Sequence, residues 1–146
     1  MKRGLLTFFA AILIIVVVNA QNYESMLGYK AGYKTGVLSA KIPLNAKDAL
    51  EGNIGVFTPQ PDYTVGFNIA YHRAVFLKSD ESWQFYYGVN GSGVIGDEES
   101  LGAGLSLGIM YIYKRINFGI DAYPTYYFNG NLGLRPLPGL YLRWVN

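Results

Sequence analysis

The chain has 146 residues, 51% hydrophobic and 15% charged, and contains no cysteine. That length makes one domain the default, and the missing cysteines exclude both disulfide staples and a lipid anchor on a cysteine at a cleavage site. Of the twelve Lys and Arg residues two are Lys2 and Arg3; without them ten cations face ten Asp and Glu, so the basic surplus of a nucleic-acid binder is missing.

The first stretch reads as a secretory signal peptide, residues 1–20. Met1-Lys2-Arg3 is a basic lead, Gly4 to Val18 carries no charge, and Val18-Asn19-Ala20 offers compact residues before cleavage at Gln21. An uncleaved anchor would need roughly 20 apolar residues, more than this run supplies. Residues 21–146 then form one domain.

From Met26 onward the apolar residues recur with period two, the mark of β-strands. The spacing predicts strand one over Met26 to Lys34, with Leu27, Tyr29, Ala31 and Tyr33 on one face and Gly28, Lys30, Gly32 and Lys34 on the other. Thr35-Gly36 is expected to turn it. Strand two follows over Val37 to Leu44, a polar turn over 45–48, and strand three over Ala49 to Thr58, with Leu50, Ile54 and Val56 opposing Glu51, Asn53 and Gly55. Pro59-Gln60-Pro61-Asp62 interrupts, because proline cannot donate to a ladder. Strand four runs from Tyr63 to Ala74, a charged turn spans Lys78 to Glu81, and strand five runs from Trp83 to Val94. Gly96 to Ser100 is an acidic loop whose Asp97-Glu98-Glu99 reads as a solvated turn.

The clearest alternation comes next. Leu101, Ala103, Leu105, Leu107, Ile109, Tyr111 and Tyr113 share one face, and Gly102, Gly104, Ser106, Gly108, Met110 and Ile112 share the other. A tight turn at Tyr113-Lys114-Arg115 leads to strand seven, with Ile116, Phe118, Ile120 and Ala122 opposing Asn117, Gly119, Asp121, Tyr123 and Thr125. Asn129 to Pro138 is predicted as the longest loop and Gly139 to Val145 as strand eight. A broad apolar face against a small, polar one, on strands of about 12 residues, suits a tilted strand with lipid outside and a cramped lumen inside. The reading is an all-β chain: one eight-stranded antiparallel up-and-down transmembrane β-barrel.

Aromatic placement supports lipid independently. Tyr71, Trp83, Tyr113 and Trp144 fall in the outward phase at one expected end, and Tyr33, Tyr63 and Phe128 near the other, as two interfacial girdles require. The inward phase collects Lys30, Lys41, Glu51, His72, Asp121 and Arg143. Buried charges need partners. A turn centred on Ala46 sets Lys41 opposite Glu51; a last loop centred on Leu132 sets Asp121 opposite Arg143; closure of strand eight on strand one brings Lys30 into the same layer. His72 reads as a core histidine, since no Ser-His-acid arrangement or metal-ligand spacing accompanies it. No catalytic residue, metal or cofactor is expected.

Pro43-Leu44-Asn45-Ala46-Lys47-Asp48-Ala49-Leu50-Glu51-Gly52 resembles a strand-turn-strand phrase, L-N-x-K-x-A-L-E-G, of small Gram-negative outer-membrane β-barrel proteins, the outer-membrane protein A/X-like group. Trp83 to Gly88, Ile116 to Asp121 with Pro124, and Gly139 to Trp144 are similar to further phrases of that group. The family usually ends on an aromatic residue that the barrel-assembly machinery reads; here the last residues are Trp144-Val145-Asn146. The resemblance implies an outer-membrane barrel with both termini and the turns near Ala46, Asp80 and Lys114 in the periplasm. The expected role is structural or interactive in the cell envelope, with a lumen filled by side chains. Expected partners are outer-membrane lipid, lipopolysaccharide and the assembly machinery; no nucleic acid is expected. The alternatives are a soluble secreted lipocalin-like barrel binding an apolar ligand, a lipid-modifying outer-membrane enzyme, and a pore.

Overall fold

The computed structural model describes residues 24–32, 35–57, 64–77, 79, 82–95, 99–128 and 133–146. The signal-peptide segment, Tyr33 and Tyr63 lie outside them. The described chain forms a closed antiparallel barrel of β1 (Met26–Gly32), β2 (Thr35–Pro43), β3 (Asp48–Phe57), β4 (Thr64–Phe76), β5 (Trp83–Ile95), β6 (Ser100–Tyr113), β7 (Ile116–Tyr127) and β8 (Leu134–Val145). Each strand pairs with the next, and β8 returns to β1 over seven residue pairs, Met26↔Val145 to Gly32↔Gly139.

Local chemistry sets the turns at the end that holds both described chain ends. Asn45 Oδ1 accepts from the backbone N–H of Lys47 and Asp48, each at 2.8 Å, and its amide donates to Asp48 Oδ2 at 2.9 Å. This side-chain mimic of a turn fixes Pro43↔Ala49 and centres the connection on Ala46. Lys114 and Arg115 alone join β6 to β7, with Tyr113 facing Ile116. So short a hairpin needs a left-handed residue, and Lys114 takes φ 55°.

Three expectations are corrected. Thr35 and Gly36 do not turn the first hairpin: they begin β2, with Thr35 opposite Gly32. β4 does not stop at Ala74 but reaches Phe76, pairing with Gln84. The largest change is in β8, which starts at Leu134 and not at Gly139, so much of the predicted loop is strand despite Pro136 and Pro138.

Backbone direction explains why those prolines are accepted. Val145 N donates to Arg115 O on the β7 side, while Asn146 N donates to Ser25 O on the β1 side. Direction alternates residue by residue, so even-numbered β8 residues face β1. Pro136 and Pro138 are even, and they lie beyond the described end of β1, whose last pair is Gly32↔Gly139. Their missing N–H groups fall on an edge with no β1 ladder to break among the described residues.

Pro124 in β7 sits differently. Phe128 N donates to Leu101 O, so even β7 residues face β6, and the register sets Pro124 against Leu105. Leu105 O has lost its ladder donor. Asn90 Nδ2, reaching across from β5, donates to it at 2.6 Å. Asn90→Ala is expected to cost about 1–3 kcal/mol by stranding that carbonyl. Pro124→Ala restores a backbone N–H there, so Asn90→Ala should cost less in that background; additive effects in urea unfolding of the refolded barrel would contradict this account.

Candidate functional site

The two faces of every strand separate cleanly. Outward side chains are apolar and open, with Leu38 and Ile120 each 62% exposed. Inward ones are closed and mostly polar or charged, with Met26, Val37, Val94, Met110 and Val145 among the apolar exceptions: Glu51 is 0% and Arg143 1% exposed. Inward glycines make the lumen wide enough for bulky groups. A Cβ on Gly108 would meet the Tyr86 ring at 2.6 Å, one on Gly119 would meet Tyr141, and one on Gly139 would lie 3.0 Å from Lys30 Cγ.

Glu51 is the centre of the lumen. Its Oε1 accepts from Lys30 Nζ at 2.7 Å, from Tyr123 OH at 2.7 Å and from Asn53 Nδ2 at 3.1 Å. Its Oε2 lies 2.8 Å from Arg143 Nη2 and 3.6 Å from His72 Nδ1. The Arg143 contact is close but not aligned as a hydrogen bond, so it acts as an ion pair. Arg143 is steadied by Ser39 Oγ, which accepts from Nε at 3.0 Å, and by the Tyr141 ring 4.0 Å from its guanidinium carbon. Lys30 spends its three N–H groups on Glu51, Asp121 Oδ2 at 2.6 Å and Tyr123 OH at 3.1 Å. Tyr86 OH donates to the same Asp121 oxygen at 2.9 Å.

Two pairings differ from expectation. Lys41 does stand opposite Glu51 in register, but the contact is not made. Its Nζ lies 4.1 Å over the Tyr86 ring and 3.8 Å from Met110 Sδ, because Lys30 and Arg143 already occupy the carboxylate. Asp121 stands opposite Gly139, and Arg143 opposite Asn117, so Asp121 and Arg143 are not a pair. The β7–β8 pairing lies four residues from the one a loop centred on Leu132 would give, so Asp121 meets Gly139 in place of Arg143.

Reading by charge alone missed the uncharged partners. Tyr86, Tyr123 and Tyr141 wall the charged cluster. Above it, Asn53 Nδ2 donates to Asn68 Oδ1 at 3.3 Å, Asn68 Nδ2 to Asn90 Oδ1 at 3.0 Å, and Thr125 Oγ1 to Asn90 Oδ1 at 3.0 Å. Tyrosine and asparagine among the inward glycines and serines were the available signal. His72, 1% exposed, packs its ring 4.5 Å from Tyr86, with Nε2 3.5 Å from Tyr123 OH. Among the described residues no group of three His, Cys, Asp or Glu is placed to hold a metal.

Outside, Tyr71, Trp83, Tyr113 and Trp144 all point away from the lumen, 38–54% exposed. Tyr71 is not at the end of β4, yet it stands opposite Leu50, near the start of β3, and its OH donates to Asp48 Oδ1 at 2.7 Å. Phe128 is outward at the opposite end, with Tyr126 6.0 Å away. A row the sequence did not single out links Trp83, Tyr111 and Phe118, with ring separations of 4.8 and 5.3 Å.

No protein-family model and no curated relative matches the chain. Among solved structures it is similar to the N-terminal β-barrel domain of Pseudomonas aeruginosa OprF, at 12% identity and TM-score 0.57, over 84% of this chain and 96% of that one. It is also similar to Neisserial surface protein A (NspA), at 14% identity and TM-score 0.48, over 84% and 91%. At such identities the OprF likeness concerns the fold alone, a β-barrel, which in this chain has eight strands.

The lumen geometry ranks three substitutions in equilibrium unfolding. Glu51→Ala leaves two buried cations short of their shared partner and should cost about 3–5 kcal/mol. Asp121→Ala should cost less, because Lys30 keeps Glu51. Lys41→Met, which breaks no ion pair among the described residues and conserves volume, should stay within about 1.5 kcal/mol of wild type. A Lys41 effect as large as that of Glu51 would refute the ranking.

Proposed function

We propose that this is an exported outer-membrane β-barrel with a structural or interaction role in the cell envelope, its lumen closed by side chains. The observation that carries the reading is the inversion of the faces. A water-soluble barrel would hide Leu27, Leu38, Leu101, Leu105, Ile120 and Leu140, yet these are 57–62% exposed, while Lys30, Glu51, Asp121 and Arg143 are inside. Covering such a band with acyl chains removes its cost in water, and eight strands leave room for side chains rather than a channel.

The outward aromatics are then interfacial anchors on either side of the hydrocarbon layer. The surrounding partners are outer-membrane lipid and lipopolysaccharide, and insertion depends on the barrel-assembly machinery. The role is non-enzymatic on this reading: His72, the chain's single histidine, is enclosed by Glu51, Tyr86 and Tyr123, away from any lipid-facing surface. A lumen so filled also disfavours a conducting pore.

Fractionation and gel mobility test the proposal together. Produced with its leader in a Gram-negative host, the protein should co-sediment with outer membranes, require detergent for extraction, and migrate faster unheated than boiled. A soluble periplasmic or secreted species with no heat-dependent shift would overturn the membrane reading and favour the ligand-binding alternative.

A further inference from the structure

The outward surface of β5–β8 is not evenly convex. Beside the end closed by the Lys114–Arg115 turn it carries an apolar groove, with Trp83 and Phe85 on one side, Leu140 on the other, and Ile109, Phe118 and Ile120 between them. Polar groups contribute almost nothing to this lining. The Trp83–Tyr111–Phe118 row crosses the groove at its upper end.

Directly above stands the turn. Lys114 and Arg115 are both exposed, and neither forms an ion pair among the described residues. Lys114 is held in a left-handed conformation and its Nζ lies 5.3 Å from the centroid of the Tyr113 ring. The Arg115 backbone is pinned where its carbonyl accepts from Val145 N at 2.9 Å. Tyr111 and Phe118 are three residues from Lys114 and Arg115 respectively, a drop of about 10 Å along the strands. Two exposed cationic side chains on a held backbone turn thus stand beyond an aromatic collar, which opens onto an apolar trough.

We propose that this site binds one anionic phospholipid, its phosphate on Lys114 and Arg115 and one acyl chain in the groove below Phe118. The inference rests on the membrane reading above and adds a specific lipid to it. Charge selects the headgroup, since a zwitterionic lipid places its own cation beside the two basic side chains. Shape selects a chain, because the trough runs along the strands from the collar toward Pro138.

The test is native mass spectrometry of the full-length barrel released from mixed micelles of phosphatidylglycerol and phosphatidylethanolamine, with heat-dependent gel mobility recorded on the same samples. Wild type should retain a single phosphatidylglycerol in preference to phosphatidylethanolamine. Each basic side chain near an anionic headgroup is worth roughly fivefold in affinity, so Lys114→Gln with Arg115→Gln should lower the preference by at least about tenfold. Ile120→Trp, which fills the trough and leaves both cations, should remove the retained lipid. Equal retention of the two lipids, a preference unmoved by the double substitution, or a second copy of the chain in place of lipid would each overturn the site. Loss of the heat-dependent shift in wild type would instead bring down the membrane reading and the site with it.

Discussion

A carboxylate enclosed in a barrel lumen has surrendered its hydration, and that loss is recovered only if donors surround it on nearly every side. Glu51 meets that demand with two cations, a tyrosine hydroxyl and an asparagine amide. The donors come from different strands: Lys30 from β1, Asn53 from β3 itself, Tyr123 from β7 and Arg143 from β8. No two-stranded piece of the barrel could assemble them. The cluster is therefore a property of the closed structure, and half of it is worse than none, because a carboxylate or guanidinium buried without its partner is more costly than an apolar side chain in its place.

The inversion of faces follows from the same constraint. A barrel of eight strands cannot hold a layer of large residues on every strand, so bulky groups alternate with glycine around the lumen. Tyr86 fills the space left open at Gly108, Tyr141 that at Gly119, and Lys30 that at Gly139. On the outside, where nothing of the protein packs against the wall, the same logic runs in miniature: Phe67 lies over Gly93 and Tyr29 over Gly36, aromatic rings covering backbone that glycine leaves bare.

Period two is a local property, so facing was legible in nearly every strand, and at the turn over 45–48 the register was legible as well, whereas at the first hairpin Thr35 and Gly36 belong to β2. Asn45 and its neighbours placed Lys41 across from Glu51. What the sequence could not convey was which neighbour a given N–H addresses. Pro136 and Pro138 look like chain breakers until their parity and the shortness of β1 are known, and that one ambiguity carried the false Asp121–Arg143 pair. The Lys41 error is of another kind. Register was right, but opposition across a ladder fixes Cα positions, and a four-carbon side chain can reach an aromatic ring as easily as the residue beside it.

Closure is the step for which this arrangement matters most. The β1–β8 seam is short, seven pairs against eleven between β7 and β8, and β1 is the shortest strand of the described chain. Backbone hydrogen bonds alone would hold a neighbouring register of that seam nearly as well, except that any one-residue slip turns a face inside out. A two-residue slip keeps the faces, so it is the slip that side chains must prevent. Lys30 on β1 and Arg143 on β8 both end on Glu51, two strands away from β1 on the far side of the seam. A two-residue shift of β8 against β1 would carry Arg143 about 7 Å along the barrel, away from Glu51 and Ser39. The buried cluster thus fixes the register in which the barrel shuts, and Glu51, which lies on neither closing strand, is the residue that reads it.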